Sequence, residues 1–290
     1  MELIDLHVHS NRSDGTLSPA SVVSLALSKE LKAIALTDHD TVDGIAEALH
    51  AAEGTSLEVV PGTELSCLYH GKEIHILGLY IDYESPELNA SLTTQREARN
   101  QRNEEMIRRF RADGILFTMD ELKNSCPDTV ITRAHFARVL IEKGYVTSTD
   151  QAFKNYLVHD NNYCPPKAAF SPEEAIHLIC AAGGFPAIAH PIQYKLGWKE
   201  TERMILEFKE MGLKGIEVYY TSHCSYESMR LQEICNTYHL LPTGGSDFHG
   251  ANKPDIQLGC GRGKLRVSAL LLNDIKKEQS ASRSPLPYCP

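Results

Sequence analysis

Residues 4–10 read IDLHVHS, with two histidines at alternate positions directly behind a short apolar run. A repeat of two puts His7 and His9 on one face of an extended strand, where both imidazoles can share an ion. Asp14 and a glycine turn follow. Four more apolar runs end in similar residues: AIALTDHD in Asp38, His39 and Asp40, VVPGTE in Glu64, AIAH in His190, and LLPTGGSDFH in Asp247 and His249. His75 lies inside the run EIHILGLY. Imidazole and carboxylate without a neighbouring cysteine suit zinc, manganese or iron better than a soft-ligand site. A lone glutamate such as Glu64 can bridge two ions, and metals about 3.5–4 Å apart can activate a water and clamp a phosphoryl oxygen. Taken singly, His75 reads as a packed core residue, Asp38 as a turn residue, and Asp247-x-His249 as a plain loop. Their joint placement at strand ends is what carries the metal reading.

The elements that must position these residues alternate at both ends of the chain. ELIDLHV, KAIALTD, LEVVPGTEL and KEIHILGLYID read as strands, with helices over LSPASVVSLALSKE (Ser18 capping, Pro19 in the first turn) and TVDGIAEALHAA behind Thr41. From about residue 87 the pattern turns helical, through SLTTQREARNQRNEEMIRRFRADG, TRAHFARVLIEKG and STDQAFKNYL. Alternation resumes with SPEEAIHLICAAGG, capped by Ser171, and runs through FPAIAH, KETERMILEFKEMG, KGIEVYY and SYESMRLQEICNTYH to LLPTGGSDFHG. The expected class is α/β, with parallel strands and helical crossovers. Ligands converging from so many strand ends favour a barrel over an open sheet, because a barrel gathers its site at the carboxyl ends of its strands. The expected division is a barrel over 1–86 and 171–279, an all-helical insertion over 87–170, and an unstructured tail over 280–290. Arg96, Arg99 and Arg102 recur every three residues and read as a solvated, salt-bridged helix face.

Composition narrows the function classes. The 290 residues can bury a full core, and 42% hydrophobic with 23% charged residues is ordinary for a globular chain. A net charge of −9 argues against a general nucleic-acid-coating protein. Eight cysteines without a CxxC pair point to reduced thiols and a cytoplasmic setting. No apolar run approaches the roughly 20 residues that span a bilayer, and the start of the chain does not read as a signal peptide.

DLHVHSNRSDG, LTDHDT, PGTELS, HILGLYID, AIAHP and GSDFHG run in order through residues 1–80 and 185–250. They resemble the successive motifs of the PHP (polymerase and histidinol phosphatase) superfamily. The helical segment between them resembles the insertion of its stand-alone phosphoesterases that act on nucleotides. The resemblance implies a distorted seven-stranded (β/α) barrel carrying two to three divalent ions of manganese, zinc or iron. One would take His7, His9, Glu64 and Asp247, a second Glu64, His75 and His190, and a third Asp14, His39 and His249. Asp14 stands where many relatives carry histidine. TRAHFARVL is similar to a segment whose arginine and histidine grip substrate phosphate, which implies Arg133 and His135, although Ala134 replaces the usual proline. NYCPPKAAFS likewise implies Lys167. His223, behind the strand GIEVYY, is a candidate proton donor or phosphate ligand, and Asp247 is expected to serve catalysis as well as metal. The implied function is metal-dependent hydrolysis of phosphate from small nucleotides, a nucleoside monophosphate or 3′,5′-bisphosphate. The rivals are 5′–3′ exonuclease action on short oligonucleotides, a histidinol-phosphatase-like phosphomonoesterase, and a non-catalytic binding module. Neither an obligate protein partner nor a membrane is expected.

Overall fold

In the computed structural model, residues 2–123, 126–158 and 162–283 are described. The chain opens with β1 (Ile4–Val8), α1 (Pro19–Ser28), β2 (Ala33–Leu36), α2 (Ile45–Ala52), β3 (Glu58–Tyr69) and β4 (Lys72–Leu79). Four helices follow: α3 (Pro86–Ala112), α4 (Met119–Lys123), α5 (Arg133–Glu142) and α6 (Thr149–Asn155). Then come α7 (Pro172–Ala181), β5 (Phe185–Ile188), α8 (Trp198–Glu210), β6 (Gly215–Tyr220), α9 (Ser225–Tyr238), β7 (Leu241–Gly245) and α10 (Leu270–Arg283).

Local chemistry sets the helix starts. Ser18 accepts from Ser21 N ahead of α1, and Ser171 forms a capping box with Glu174 ahead of α7, each with proline in the first turn. The α2 helix begins later than the sequence suggests. Asp40 takes a positive φ of 51° and Thr41 Oγ1 accepts from Asp43 N, so a turn precedes the helix. At the far end α10 runs through Arg283, into the stretch expected to be an unstructured tail; 284–290 lie outside the described residues.

The seven strands pair in chain order. The β1–β2, β2–β3, β5–β6 and β6–β7 pairs are parallel, as the alternation implies. The β4 strand departs from that expectation: it is antiparallel to both β3 and β5. Its link from β3 is a two-residue turn, His70-Gly71, with φ of 47° and 75°, not a helical crossover. An antiparallel strand presents its amino end where its neighbours present their carboxyl ends, which is how His75 reaches the same rim as the other residues expected to bind metal. The barrel nearly closes just past β7, where Asp247 N donates to His7 O (2.9 Å) and His9 N to Phe248 O (3.0 Å). Gly245 permits this approach, since a Cβ there would lie 2.4 Å from His7 N.

Apolar side chains fill three layers of the barrel. Ile4, Leu6, Ala33, Val60, Leu77 and Phe185 pack on one another and on Leu272 and Ile275 of α10, which covers the amino ends of the strands. Outer layers lie between the strands and helices α1, α2 and α7–α9. Helices α3–α6 surround a core of their own around Phe110, Phe117, Phe136 and Leu140. No helix among the described residues is long and apolar enough to cross a membrane.

Asp5 ties the closure together from inside. Its fully buried carboxylate accepts from Ser246 N (2.7 Å), Ser246 Oγ (2.5 Å) and Gly259 N (2.8 Å). Burial pushes its pKa up to about 6 against those donors. Asp5→Ala strips these buried donors, and His7 N with them, of a charged acceptor and should cost about 3 kcal/mol of unfolding free energy. Chemical denaturation measures it; an unchanged midpoint would show that the barrel closes without this anchor.

Candidate metal centre and substrate cavity

Glu64, on β3, is 1% exposed and points both carboxylate oxygens into a ring of imidazoles. Oε2 lies 3.2 Å from each of His7 Nε2, His9 Nε2 and His39 Nδ1. Oε1 lies 2.8 Å from His75 Nδ1 and 3.0 Å from His190 Nε2. Asp247 Oδ1 approaches His9 Nε2 (3.3 Å), His249 Nδ1 (3.4 Å) and His7 Nε2 (3.6 Å). Asp14 Oδ1 lies 3.1 Å from His249 Nε2, and its Oδ2 lies 3.7 Å from His39 Nε2. All nine residues expected to bind metal therefore converge at one rim, in overlapping groups: His7, His9 and Asp247; His7, Glu64 and His190; His39, Glu64 and His75; His9, Asp14, His39 and His249.

The strands explain the convergence. His7 and His9 share a face of β1, and His39 continues β2 to bridge Glu64 on β3. Ser66 opposite His75 fixes the β3–β4 register. Asp247 holds a positive φ of 59° immediately after β7. Burial alone would raise the Glu64 carboxyl, but the imidazoles of His39, His7 and His75 hold it well below the usual range. Asp247 is likewise held low against its burial, chiefly by Lys253 and then His249 and His7.

The donor set fits divalent cations. His7 Nε2, His9 Nε2, His39 Nδ1 and Glu64 Oε2 are buried, face one point and have no aligned hydrogen-bond partner. Outer groups set the ring orientations, as metal-ligating histidines require. Glu217 Oε1 lies 3.0 Å from His7 Nδ1, and its Oε2 accepts from His190 N (2.7 Å). Asp38, a possible turn residue by sequence, accepts from Ser10 N, Ser10 Oγ and Ser13 Oγ and so holds the loop behind His9. Tyr220 Oη and Lys253 Nζ both donate to Asp247 Oδ2, at 2.8 and 2.6 Å.

A cavity of about 220 Å³ opens beside Asp14, His39, His75 and His249. Arg99, Arg102, Arg133 and Lys167 wall it on the helical side. One barrel carboxylate, Glu73, accepts from both Arg133 (2.6 Å) and Lys167 (2.5 Å). Arg133 and Lys167 thus lie where the family pattern implies, but His135 and His223 are not among the lining residues. His135 caps α5 by accepting from Thr132 N (3.0 Å), and burial lowers its pKa to about 4. It acts behind Thr132, whose Oγ1 donates to Asp14 Oδ2 (3.0 Å). His223 stands behind Tyr220 with Nδ1 on Val218 O (3.0 Å), its pKa lowered by burial. The arginine stripe also differs from its solvated reading. Arg96 pairs with Asp43 near the surface, whereas Arg99 is buried on Asp40 and Arg102 lines the cavity. Glu217 was legible as the one charge in GIEVYY; nothing local in the sequence marks Tyr220, Glu73 or Lys253.

The model of the PHP domain matches residues 5–210. A 5′-3′ exoribonuclease of Haemophilus influenzae is 37% identical over 251 residues, covering 84% of this chain and 89% of the relative. A 3′,5′-nucleoside bisphosphate phosphatase of Chromobacterium violaceum is 36% identical over 260 residues, covering 89% and 91%. A solved structure from Bifidobacterium adolescentis, assigned as a metal-dependent phosphoesterase, superposes with a TM-score of 0.85 over 98% of each chain at 28% identity. With the fold, the ligand ring and these likenesses in agreement, the chain belongs to the PHP domain family and is a metal-dependent phosphoesterase.

Proposed function

We propose that the enzyme removes phosphate from small nucleotides, a nucleoside monophosphate or 3′,5′-bisphosphate. The observation that carries this reading is the pairing of a buried imidazole–carboxylate ring with a small cavity whose far wall holds four cations. We assign one ion to His7, His9, Glu64 and Asp247, a second to Glu64, His75 and His190, and a third to Asp14, His39 and His249. Bound there, such ions supply the acidity that activates a water and the charge that offsets a phosphoryl group. The residues of the chain do the rest. Glu64 divides its oxygens between two groups of imidazoles, Glu217 fixes the direction of the His7 ring, and Asp38 holds the loop behind His9. Arg133 and Lys167 hold phosphate oxygens that the metals do not, with Glu73 keeping both cations in place before substrate arrives. Within the helices over 87–170, the part beyond Arg99 acts as a cap that shortens the cleft and favours small substrates. Hydrolysis of the end nucleotide of a short oligonucleotide is the second reading, supported by the likeness to the exoribonuclease of Haemophilus influenzae. Phosphate release from a panel of nucleotides and short RNAs, with manganese added, separates the two; no release from any mononucleotide would overturn the first.

Chelation should abolish hydrolysis and leave far-ultraviolet circular dichroism nearly unchanged, because the ligands stand on strands with an apolar core of their own, unlike a domain folded around its ion. Unfolding on chelation would contradict this. Glu64→Gln should lose more metal and more rate than Asp14→Asn, since one bridging carboxylate serves two groups of ligands and Asp14 only the outermost. Metal analysis of both variants decides it. Arg133→Ala should cost about 2–4 kcal/mol of transition-state binding with normal metal content, because it removes a charge-assisted donor and leaves Glu73 less compensated toward phosphate. Steady-state kinetics and metal analysis report it, and a wild-type rate on every phosphate ester would remove Arg133 from the site.

A further inference from the structure

The cations lining the cavity fall into two sets. Arg99, Arg133 and Lys167 are paired with Asp40 and Glu73 on the cap side, and Arg102 donates to Pro165 O (2.8 Å). Lys253 alone among the described lining cations stands at the metal-ligand end, with Nζ 2.6 Å from Asp247 Oδ2. Its position is built. Lys253 follows a short 3-10 turn, Gly250–Asn252, that is fastened to the first loop by Asn252 Nδ2 on Asp14 O (2.7 Å) and Ala251 N on Thr16 Oγ1 (2.9 Å). The residue lines the cavity and its side chain keeps 37% exposure, while its ammonium is anchored on Asp247.

Hydrolysis of a nucleotide ester leaves one charge that neither set of groups described so far meets. Bound metal ions would supply charge to the phosphoryl group and the cap-side cations hold its non-bridging oxygens, whereas negative charge grows on the bridging oxygen as its bond to phosphorus breaks. An alkoxide is a poor leaving group and needs a donor. The two histidines implied by family likeness outside the metal groups, His135 and His223, do not line the cavity. We propose that Lys253 is a further catalytic residue whose ammonium donates a hydrogen bond to the ester oxygen that leaves. The electron pair of the breaking P–O bond passes to that oxygen, the attacking water gives its hydroxyl to phosphorus, and the water's remaining proton ends on the released alcohol. Lys253 enters and leaves the step as an ammonium. The inference rests on the nucleotide-phosphatase reading above.

Leaving-group dependence tests it. Lys253→Met should lower kcat about 100-fold on a nucleoside 3′,5′-bisphosphate and less than about fivefold on 4-nitrophenyl phosphate, whose anion leaves unaided. Lys253→Arg should recover at least about tenfold on the nucleotide, because charge and donor return. Metal content and melting temperature should match the wild type in both variants. Equal losses on the two esters, or no loss on either, would overturn the assignment, as would loss of metal, which would mean that Lys253 acts only through Asp247. A wild type inactive on both esters would instead overturn the nucleotide-phosphatase reading, and this proposal with it.

Discussion

A single carboxylate buried among five imidazoles is the constraint that the rest of the molecule answers to. Burying an ionised group is costly unless it is paired on every side. Glu64 meets that demand with His7, His9, His39, His75 and His190, drawn from four different strands or strand ends. No local segment can supply such a set. It requires the strands to curl until β7 meets β1, and it requires their registers to hold. A slip of one residue in β3 would turn Glu64 to the opposite face and present Thr63 or Leu65 in its place.

The cap completes a balance of charge that the barrel leaves unfinished. The rim is rich in carboxylates, and the cap helices deliver arginines to it. Those cations are engaged before any substrate is present: Arg99 on Asp40, Arg133 on Glu73. The same groups therefore dock the cap and face the cavity. Thr132 extends the arrangement by donating to Asp14, so that the start of α5 touches the rim directly. Holding the helices and lining the cavity are two uses of one set of side chains.

Much of this was legible in the chain itself. Alternating apolar runs with His, Asp or Glu at their ends specify both the strands and the residues gathered at their rim, because strand period and ligand chemistry are local properties. Ser18 and Ser171 announce their helices for the same reason. Pair direction is not local, and nothing within KEIHILGLY says that β4 runs against its neighbours. The arginine stripe misleads because a period of three reports only that residues share a face, and what covers that face is decided by Asp43, Asp40 and Pro165, far away in sequence. His135 is similar: its motif suggests phosphate, but three residues of spacing from Thr132 make it a helix cap. Lys253 and Tyr220 gain their importance only from the folding of the chain around Asp247.

The reversed direction of β4 carries one more consequence, for where the cap can be cut away. Because β4 descends, it leaves the chain at the amino ends of the strands, where Asp82 N donates to Ala182 O beneath α7. The chain must climb back before it can build anything over the rim, and α3 is the riser: 27 residues, about 40 Å, enough to pass the whole barrel wall. Leu88 and Leu92 in its lower turns belong to the outer layer of the barrel, Arg99 marks the rim, and Met106 and Phe110 belong to the cap. Phe170, by contrast, returns at the rim beside Cys67. Joining residue 86 to 171 would thus ask one peptide bond to cross the height of the barrel. A workable splice falls inside a continuous helix, near Arg99, and the lower half of α3 is the barrel's own scaffolding.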